Sequence, residues 1–421
     1  MMTSKRTHIL YIAEFSTGGS VESLLCLVGG LDKEAFKTTV LFYSMPDERT
    51  CRRFEQAGAT ICSLYPRGSG KGHPRGLRKL SLQARIKGVF GSRIERYYET
   101  FKYGLDFVRF RKPIYKAIRQ KIELIQPDLV HFNNGVGTDT PGILAARKCK
   151  VPAVCHIRTL ARLTHISVAV SRSVGAFLCI SNAVRDMAID QGVNAARSIV
   201  VPNAVDLIRF NSTDVSANSI RDEMGWDSGH KIFALVGRVV SWKGQDYFIR
   251  ALAEAHSSIP SVRGLIVGEG ENTDKNDEYI EGLRSLVAEF GLDDVVVFTG
   301  HRNDIPDIMT SSDAVICGSS LPEPFGRVII EGMAAGAVVI ATNAGGAPDI
   351  IENDVNGLLV PVKDSHALAG AMLRLCEEPQ LQERLLSAAT DVVRDKYTVH
   401  KHVDQICDIY RSVVSESGHT S

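Results

Sequence analysis

Residues Leu321–Gly346 read LPEPFGRVIIEGMAAGAVVIATNAGG. The stretch divides into a loop, a short helix, a buried strand and a glycine turn. Glu323 stands just before the helix, and Pro324 suits a first helical turn, where its missing N–H costs nothing. Backbone N–H groups around Phe325 and Gly326 then point out of the helix start, toward anionic or hydroxyl-rich ligand groups. Gly332, Ala334, Ala335 and Gly336 let the helix lie close to a sheet. Val338, Val339 and Ile340 supply a buried strand, and Gly345-Gly346 permits another close backbone approach. Seven residues separate Glu323 from Glu331. Two carboxylates beside a helix N-terminus suit a polyhydroxyl ligand that carries phosphate, since carboxylates accept from sugar hydroxyls and the helix start favours phosphate. Taken singly, Glu323 reads equally well as a cap and Glu331 as solvated surface; their order with Glu-Pro-Phe-Gly and Gly-Gly is the specific feature.

Upstream of this stretch, Lys231 to Val236 reads as a strand that runs into Gly237-Arg238-Val239-Val240-Ser241-Trp242-Lys243-Gly244, with a helix from Gln245. Arg238 and Lys243 lie on the turn after the strand, where a basic pair can clamp a diphosphate leaving group; the alternative is a solvated loop. Strands at 264–267, 295–298 and 313–317 and a helix at 281–290 follow, with His301-Arg302-Asn303 a loop placed near a nucleotide base. Beyond 357–360 the reading is helical, at 365–376, 381–393 and 399–414.

The first half has the same rhythm. Strands are expected at 8–13, 38–43, 60–64, 129–132, 153–157 and 176–180, with helices at 21–31, 47–57, 141–148 and 182–191. The alternation argues for parallel sheets covered on both faces. Ser16-Thr17-Gly18-Gly19-Ser20 joins the first strand to its helix in a phosphate-binding arrangement. Neither Gly-x-Gly-x-x-Gly nor a Walker lysine is present, which weighs against dinucleotide and P-loop readings. His156 stands near the C-terminal end of its strand, the edge where ligands gather in open α/β sheets. A lone His after an apolar strand is also commonly structural. Val201-Pro202-Asn203-Ala204-Val205-Asp206 is turn chemistry, after which the rhythm restarts, and the domain boundary is expected near Asp206.

With 421 residues, 44% hydrophobic and 23% charged, the chain has the composition of a soluble protein of two domains. Its nine cysteines include no Cys-x-x-Cys pair and no zinc spacing, which suggests reduced thiols and a cytosolic setting. The apolar run 8–13 is too short for a signal peptide, and no run approaches a membrane span. A formal net charge of +1 gives no nucleic-acid signature, yet residues 67–121 hold 16 Lys or Arg against three acids. Seven aromatic residues from Phe90 to Phe110 interleave with that charge. The stretch suits an anionic membrane surface or an anionic acceptor, against the plainer reading of solvated helices whose aromatics face the core.

The stretch with Glu323 and Glu331 resembles the Glu-seven-residues-Glu signature of the retaining glycosyltransferases of family 4. Gly237-Arg238 with Lys243-Gly244 is similar to that family's basic diphosphate clamp, and Ala153-Val154-Cys155-His156-Ile157-Arg158 to its histidine-bearing strand. The resemblance implies the GT-B fold: two Rossmann-like α/β domains facing a central cleft, at 1–205 and 206–395, and a C-terminal helix, 396–421, packing back on the first. It implies a sugar transferred from a nucleotide-diphosphate sugar, with uridine the favoured base, to a glycan, lipid-linked or small-molecule hydroxyl acceptor, with retained configuration. Chemistry falls to His156, Glu323, Arg238 and Lys243. Donor-binding falls to Gly18, Gly19, Arg238, Lys243, Arg302, Glu323, Pro324, Phe325, Gly326, Arg327 and Glu331, with Glu323 on the sugar and Glu331 on the ribose. Gly19, His156 and Arg158 are placed toward the acceptor. No cofactor and no metal are expected, because the basic pair replaces the metal and no suitable Asp-x-Asp is apparent. The alternatives are an epimerase of the same shape and a non-catalytic sugar-nucleotide binder. The expected setting is cytoplasmic, at the inner face of the membrane.

Overall fold

The computed structural model describes residues 6–14, 18–66, 111–210, 219–271 and 273–418, so the basic stretch lies outside the described residues up to position 110. The chain forms two compact units. One comprises Met1–Ile180, Val184–Val201 and Val403–Ser421; the other comprises Ser181–Ala183 and Pro202–His402.

The first unit is built on seven strands: β1 (Thr7–Ala13), β2 (Phe36–Ser44), β3 (Ala59–Tyr65), β4 (Leu129–Phe132), β5 (Ala153–Ile157), β6 (Ala176–Cys179) and β7 (Ser198–Val200). They pair in parallel in the order β3-β2-β1-β4-β5-β6-β7. The second unit has β8 (Lys231–Val236), β9 (Val262–Val267), β10 (Val296–Gly300), β11 (Ala314–Cys317), β12 (Val338–Thr342) and β13 (Leu358–Val360). Its order is β10-β9-β8-β11-β12-β13, again all parallel. In each sheet the strand order reverses once, beside β1 and β4 and beside β8 and β11. Loops at the C-terminal ends of those strands diverge and leave a crevice where a ligand can bind. The strands read as apolar runs because both faces are covered: Ile9 to Ile12, Phe233, Ala234, Val315 and Val339 are all fully or nearly fully buried.

Most expected elements stand within a few residues of their predicted limits, and three differences stand out. The helix of the Leu321–Gly346 stretch spans Arg327–Ala334 and does not include Pro324. Gly326 sits at φ 87°, a left-handed conformation that no helical run passes through, so Glu323 to Gly326 is loop. The helix expected at Pro141 starts earlier, spanning Val136–Lys148 with Pro141 inside. Proline leaves the carbonyl of Gly137 without its helical donor. Arg111 Nη1 (2.9 Å) and Thr140 Oγ1 (3.2 Å) donate to it instead. Asp274–Glu289 replaces the shorter helix expected from Glu281.

The C-terminal helix, Val399–Gly418, belongs to the first unit from Val403 onward. Its Tyr410 is fully buried. The Tyr410 hydroxyl lies 2.5 Å from His131 Nδ1 and donates to the Tyr11 hydroxyl at 3.1 Å. Among the described part of the basic stretch, the helix Lys112–Ile125 buries Ile114, Ile118 and Ile122 at four-residue spacing, the pattern of an ordinary amphipathic helix.

Candidate active site

In the second unit, the loops after β8 and β11 meet. Gly244 has φ 79°, and a Cβ there would lie 1.9 Å from the carbonyl oxygen of Gly318, so only glycine lets the two loops touch. This approach brings Lys243 to Glu323. The Lys243 Nζ–Glu323 Oε1 distance is 2.6 Å, and Ser319 Oγ donates to Glu323 Oε2 at 2.8 Å. The two side chains are only 17% and 13% exposed, so the pair is shielded from screening and both oxygens of the carboxylate are held. Lys243 Nζ also sits 4.5 Å above the ring of Trp242, and the Arg238 guanidinium lies 6.0 Å from the same ring. Two cations therefore converge on one indole at the switch point of the sheet, and one of them carries the Glu323 carboxylate.

Arg238 is the open member of this set. Its partner is Glu271, at 2.6 Å, and both side chains are more than half exposed. Its backbone is fixed from below, because the buried Gln245 donates to the Arg238 carbonyl (2.9 Å) and accepts from Tyr279 (3.2 Å). Cys317, at the end of β11, is no nucleophile. Burial, with the Glu323 charge adding to it, pushes its thiol up to about 12.

The glycine turn closes the other side. Gly345, at φ 63°, lies so close that an added Cβ would stand 2.0 Å from the Glu323 carbonyl oxygen. The Gly346 N–H donates to that same oxygen at 2.8 Å. The Phe325 side chain is buried against Tyr397, so it anchors the loop and leaves backbone for a ligand. Glu331 accepts from Arg327 at 2.6 Å, one helical turn apart, with both side chains less than a fifth exposed. Arg302 differs from the expectation that placed it on the base: its guanidinium is engaged by Glu223 (2.8 and 2.9 Å) and Asp304 (2.6 Å). Its hydrogen bonds to those carboxylates, Asp304 first, hold it firmly protonated.

In the first unit, Gly18 has φ 94° and opens the helix Gly19–Gly30, and both glycines are exposed. His156 is fully buried on β5. Its ring lies 5.5 Å from that of His131 on β4, and its Nδ1 lies 3.1 Å from Arg158 Nη2. Arg158 is itself buried, and its Nε donates to Asn133 Oδ1 at 3.0 Å. Asn133 in turn donates to the carbonyl of Ser20 in the helix behind the glycine loop, at 3.2 Å. The structure thus joins His156 and Arg158 and links them through Asn133 to Ser20, the residue after Gly19.

Sequence reasoning missed Ser319, Trp242, Asn133, His131 and Tyr410. Only Ser319 had a signal, four residues before Glu323. It also missed a cavity of about 200 Å³ beyond β4 and β5, lined by Asn134, Val136, Thr159, Arg162 and Thr164 among others. Asp139 braces its rim. Its carboxylate accepts from the Asn134 side chain and from the backbone of Asn134 and Gly135, while burial pushes it up to about 7.

Comparison with known proteins agrees with this geometry. Residues 216–392 match the family model described as glycosyl transferases group 1, and residues 17–209 match that of glycosyltransferase family 4. The chain is 30% identical to a D-inositol 3-phosphate glycosyltransferase of Actinosynnema mirum over 63% of its own length and 68% of the relative's. It is 25% identical to the Escherichia coli UDP-Gal:alpha-D-GlcNAc-diphosphoundecaprenol alpha-1,3-galactosyltransferase, over 72% and 78% of the two chains. The fold is that of Anabaena Alr3699/HepE, solved in complex with UDP-glucose, with a TM-score of 0.77, 22% identity and coverage of 97% and 100%. The two parallel α/β units therefore constitute a GT-B fold.

Proposed function

This chain belongs to the family 4 glycosyltransferases, and from that membership we propose that it transfers a sugar from a UDP-sugar to a hydroxyl acceptor with retained configuration and without a divalent metal. The observation that carries the proposal is the shielded Lys243–Glu323 pair, with Arg238 across Trp242, at the switch point of the second sheet. Glu323 would accept from sugar hydroxyls. Arg238 and Lys243 would stabilise the charge that grows on the departing diphosphate, and fixed cations in a shielded site do this without reorganising. That departing phosphate oxygen would take the acceptor proton on the same face of the sugar. The acceptor side falls to the first unit, at Gly19 and His156. Uridine is favoured because the E. coli relative's name carries it, and the same name supports a lipid-linked acceptor, beside glycans and small molecules. Thermal-shift screening of nucleotide sugars tests the donor: a ligand at 100 times its dissociation constant should add about 2.7 kcal/mol. Stabilisation by none of UDP-, GDP- or ADP-sugars would remove the proposal.

Glu331, assigned to the ribose, gives a binding prediction. Glu331→Ala should weaken binding of free UDP by about 1.5–3 kcal/mol, the worth of hydrogen bonds to a charged acceptor. Calorimetry on the folded variant measures it, and unchanged affinity would remove the ribose role.

No helix among the described residues is long and apolar enough to cross a membrane. The excess of 13 positive charges at 67–121 motivates a peripheral site on the cytoplasmic leaflet. Each cation near an anionic surface gains about 1 kcal/mol. The protein should therefore sediment with anionic vesicles, less so in added salt, and less so when Arg75, Arg78, Lys79, Arg85 and Lys87 become Ser. Equal recovery in the supernatant with neutral and anionic vesicles would remove the membrane role.

A further inference from the structure

We infer that Arg158 is a positioning residue that holds the imidazole of His156 neutral and protonated on Nε2, so that the outer edge of the buried ring is an N–H donor and not a base. The inference rests on the reading of His156 as part of the transfer site. A guanidinium has only donors to give. Arg158 Nη2 stands 3.1 Å from His156 Nδ1, so that nitrogen must present its lone pair, and the ring proton resides on Nε2. A second ring proton would set one N–H against another and place two cations side by side in a buried site.

Both partners are fixed from outside. Arg158 is held by Asn133, and Asn133 by the Ser20 carbonyl, so the guanidinium is tied to the helix that follows the glycine loop. On the other side the His131 ring lies against His156 at 5.5 Å and 38°. Tyr410 donates to Tyr11, so its oxygen accepts from His131 Nδ1–H, and the C-terminal helix thereby locks the neighbouring ring as well. The arrangement fits the proposed transfer, in which the departing phosphate takes the acceptor proton and a basic imidazole has no task.

The tautomer can be read without substrate. The experiment is ¹⁵N spectroscopy of histidine-labelled full-length protein, with the His156 signals identified by their loss in His156→Gln. Wild type should show an unprotonated Nδ1 and a protonated Nε2. Arg158→Lys, which keeps a donor, should preserve that signature, and Arg158→Met should shift His156 toward the Nδ1–H form. With an active donor and acceptor pair, Arg158→Met should lower kcat at least about tenfold while the KM for donor stays within about twofold, the split expected when an interaction serves the transition state. A wild-type Nδ1–H or doubly protonated ring would overturn the inference, and so would an unchanged signature in Arg158→Met. Should Arg158→Met not fold, the wild-type and Arg158→Lys spectra still decide. An inactive protein with the expected ring signature would sink the transfer reading alone.

Discussion

Lys243→Ala should lower kcat by about 10²–10³-fold, the loss typical of removing one charge-stabilising donor from an enclosed site. Lys243 is the better shielded of the two cations, at 17% exposure against 60% for Arg238, so its charge is screened least. Arg238→Ala should consequently cost less. The substitution also strands Glu323, whose carboxylate is then held only by the Ser319 hydroxyl among the described residues. Some stability is therefore lost, less than the 3–5 kcal/mol typical of breaking a fully buried pair, because water reaches part of the site. Unfolding temperature and UDP affinity should be measured beside turnover. The UDP-sugar should bind nearly as well as before if the lysine acts on the leaving group, since the charge it stabilises develops only as the bond breaks. A folded Lys243→Ala variant with kcat within threefold of wild type would remove this residue from the chemistry.

Gly345→Ala should be among the most damaging single methyls in the second unit. The added carbon would stand 2.0 Å from the Glu323 carbonyl oxygen, 2.7 Å from its nitrogen and 2.8 Å from its carbonyl carbon, and all three are backbone atoms that cannot rotate away. The residue also sits at φ 63°, which costs a non-glycine residue about 1–2 kcal/mol before any clash. Relief requires the Gly345-Gly346 turn to leave the Glu323–Phe325 loop, breaking the hydrogen bond from Gly346 N–H. Glu323 would then lose its place beside Lys243. Gly336→Ala is the internal control: its φ is 76°, yet nothing lies within 4 Å of the added carbon. It should cost only the conformational penalty, about 1–2 kcal/mol, and leave turnover near wild type. Comparable loss of activity in both variants would show that conformation, not the close approach, governs the site.

The features legible in the sequence were those carried by local chemistry. Apolar runs separated by helices predict parallel sheets, and the Gly345-Gly346 pair marks a close approach that the fold then makes, whereas the approach at Gly244 emerges only in the structure. Glu323 and Lys243 were identifiable through their motifs, although 80 residues separate them and no pattern says that they pair. What stayed hidden depends on neighbours distant in the chain. Arg302 looked like a free basic residue on a loop until Glu223, 79 residues away, claimed it. Tyr410 reaches His131 across 279 residues, so nothing near either one announces the contact. Pro324 misled for a local reason: proline suits a first helical turn, but Gly326 turns left-handed two residues later and postpones the helix. Arg158 was placed toward the acceptor by its motif, but no local signal disclosed that it is buried and bonded to Asn133 and His156.

Retaining, metal-independent transfer from a UDP-sugar can be followed by ¹H NMR of the reaction products. The protein would be incubated in EDTA with UDP-glucose, UDP-galactose or UDP-N-acetylglucosamine, with glycerol at molar concentration as a general hydroxyl acceptor. The account predicts release of UDP from at least one donor together with an α-configured glycoside or free sugar, at a rate unchanged by added magnesium. A β-configured product, an epimerised donor without UDP release, turnover that EDTA abolishes and magnesium restores, or no turnover of any donor would contradict it.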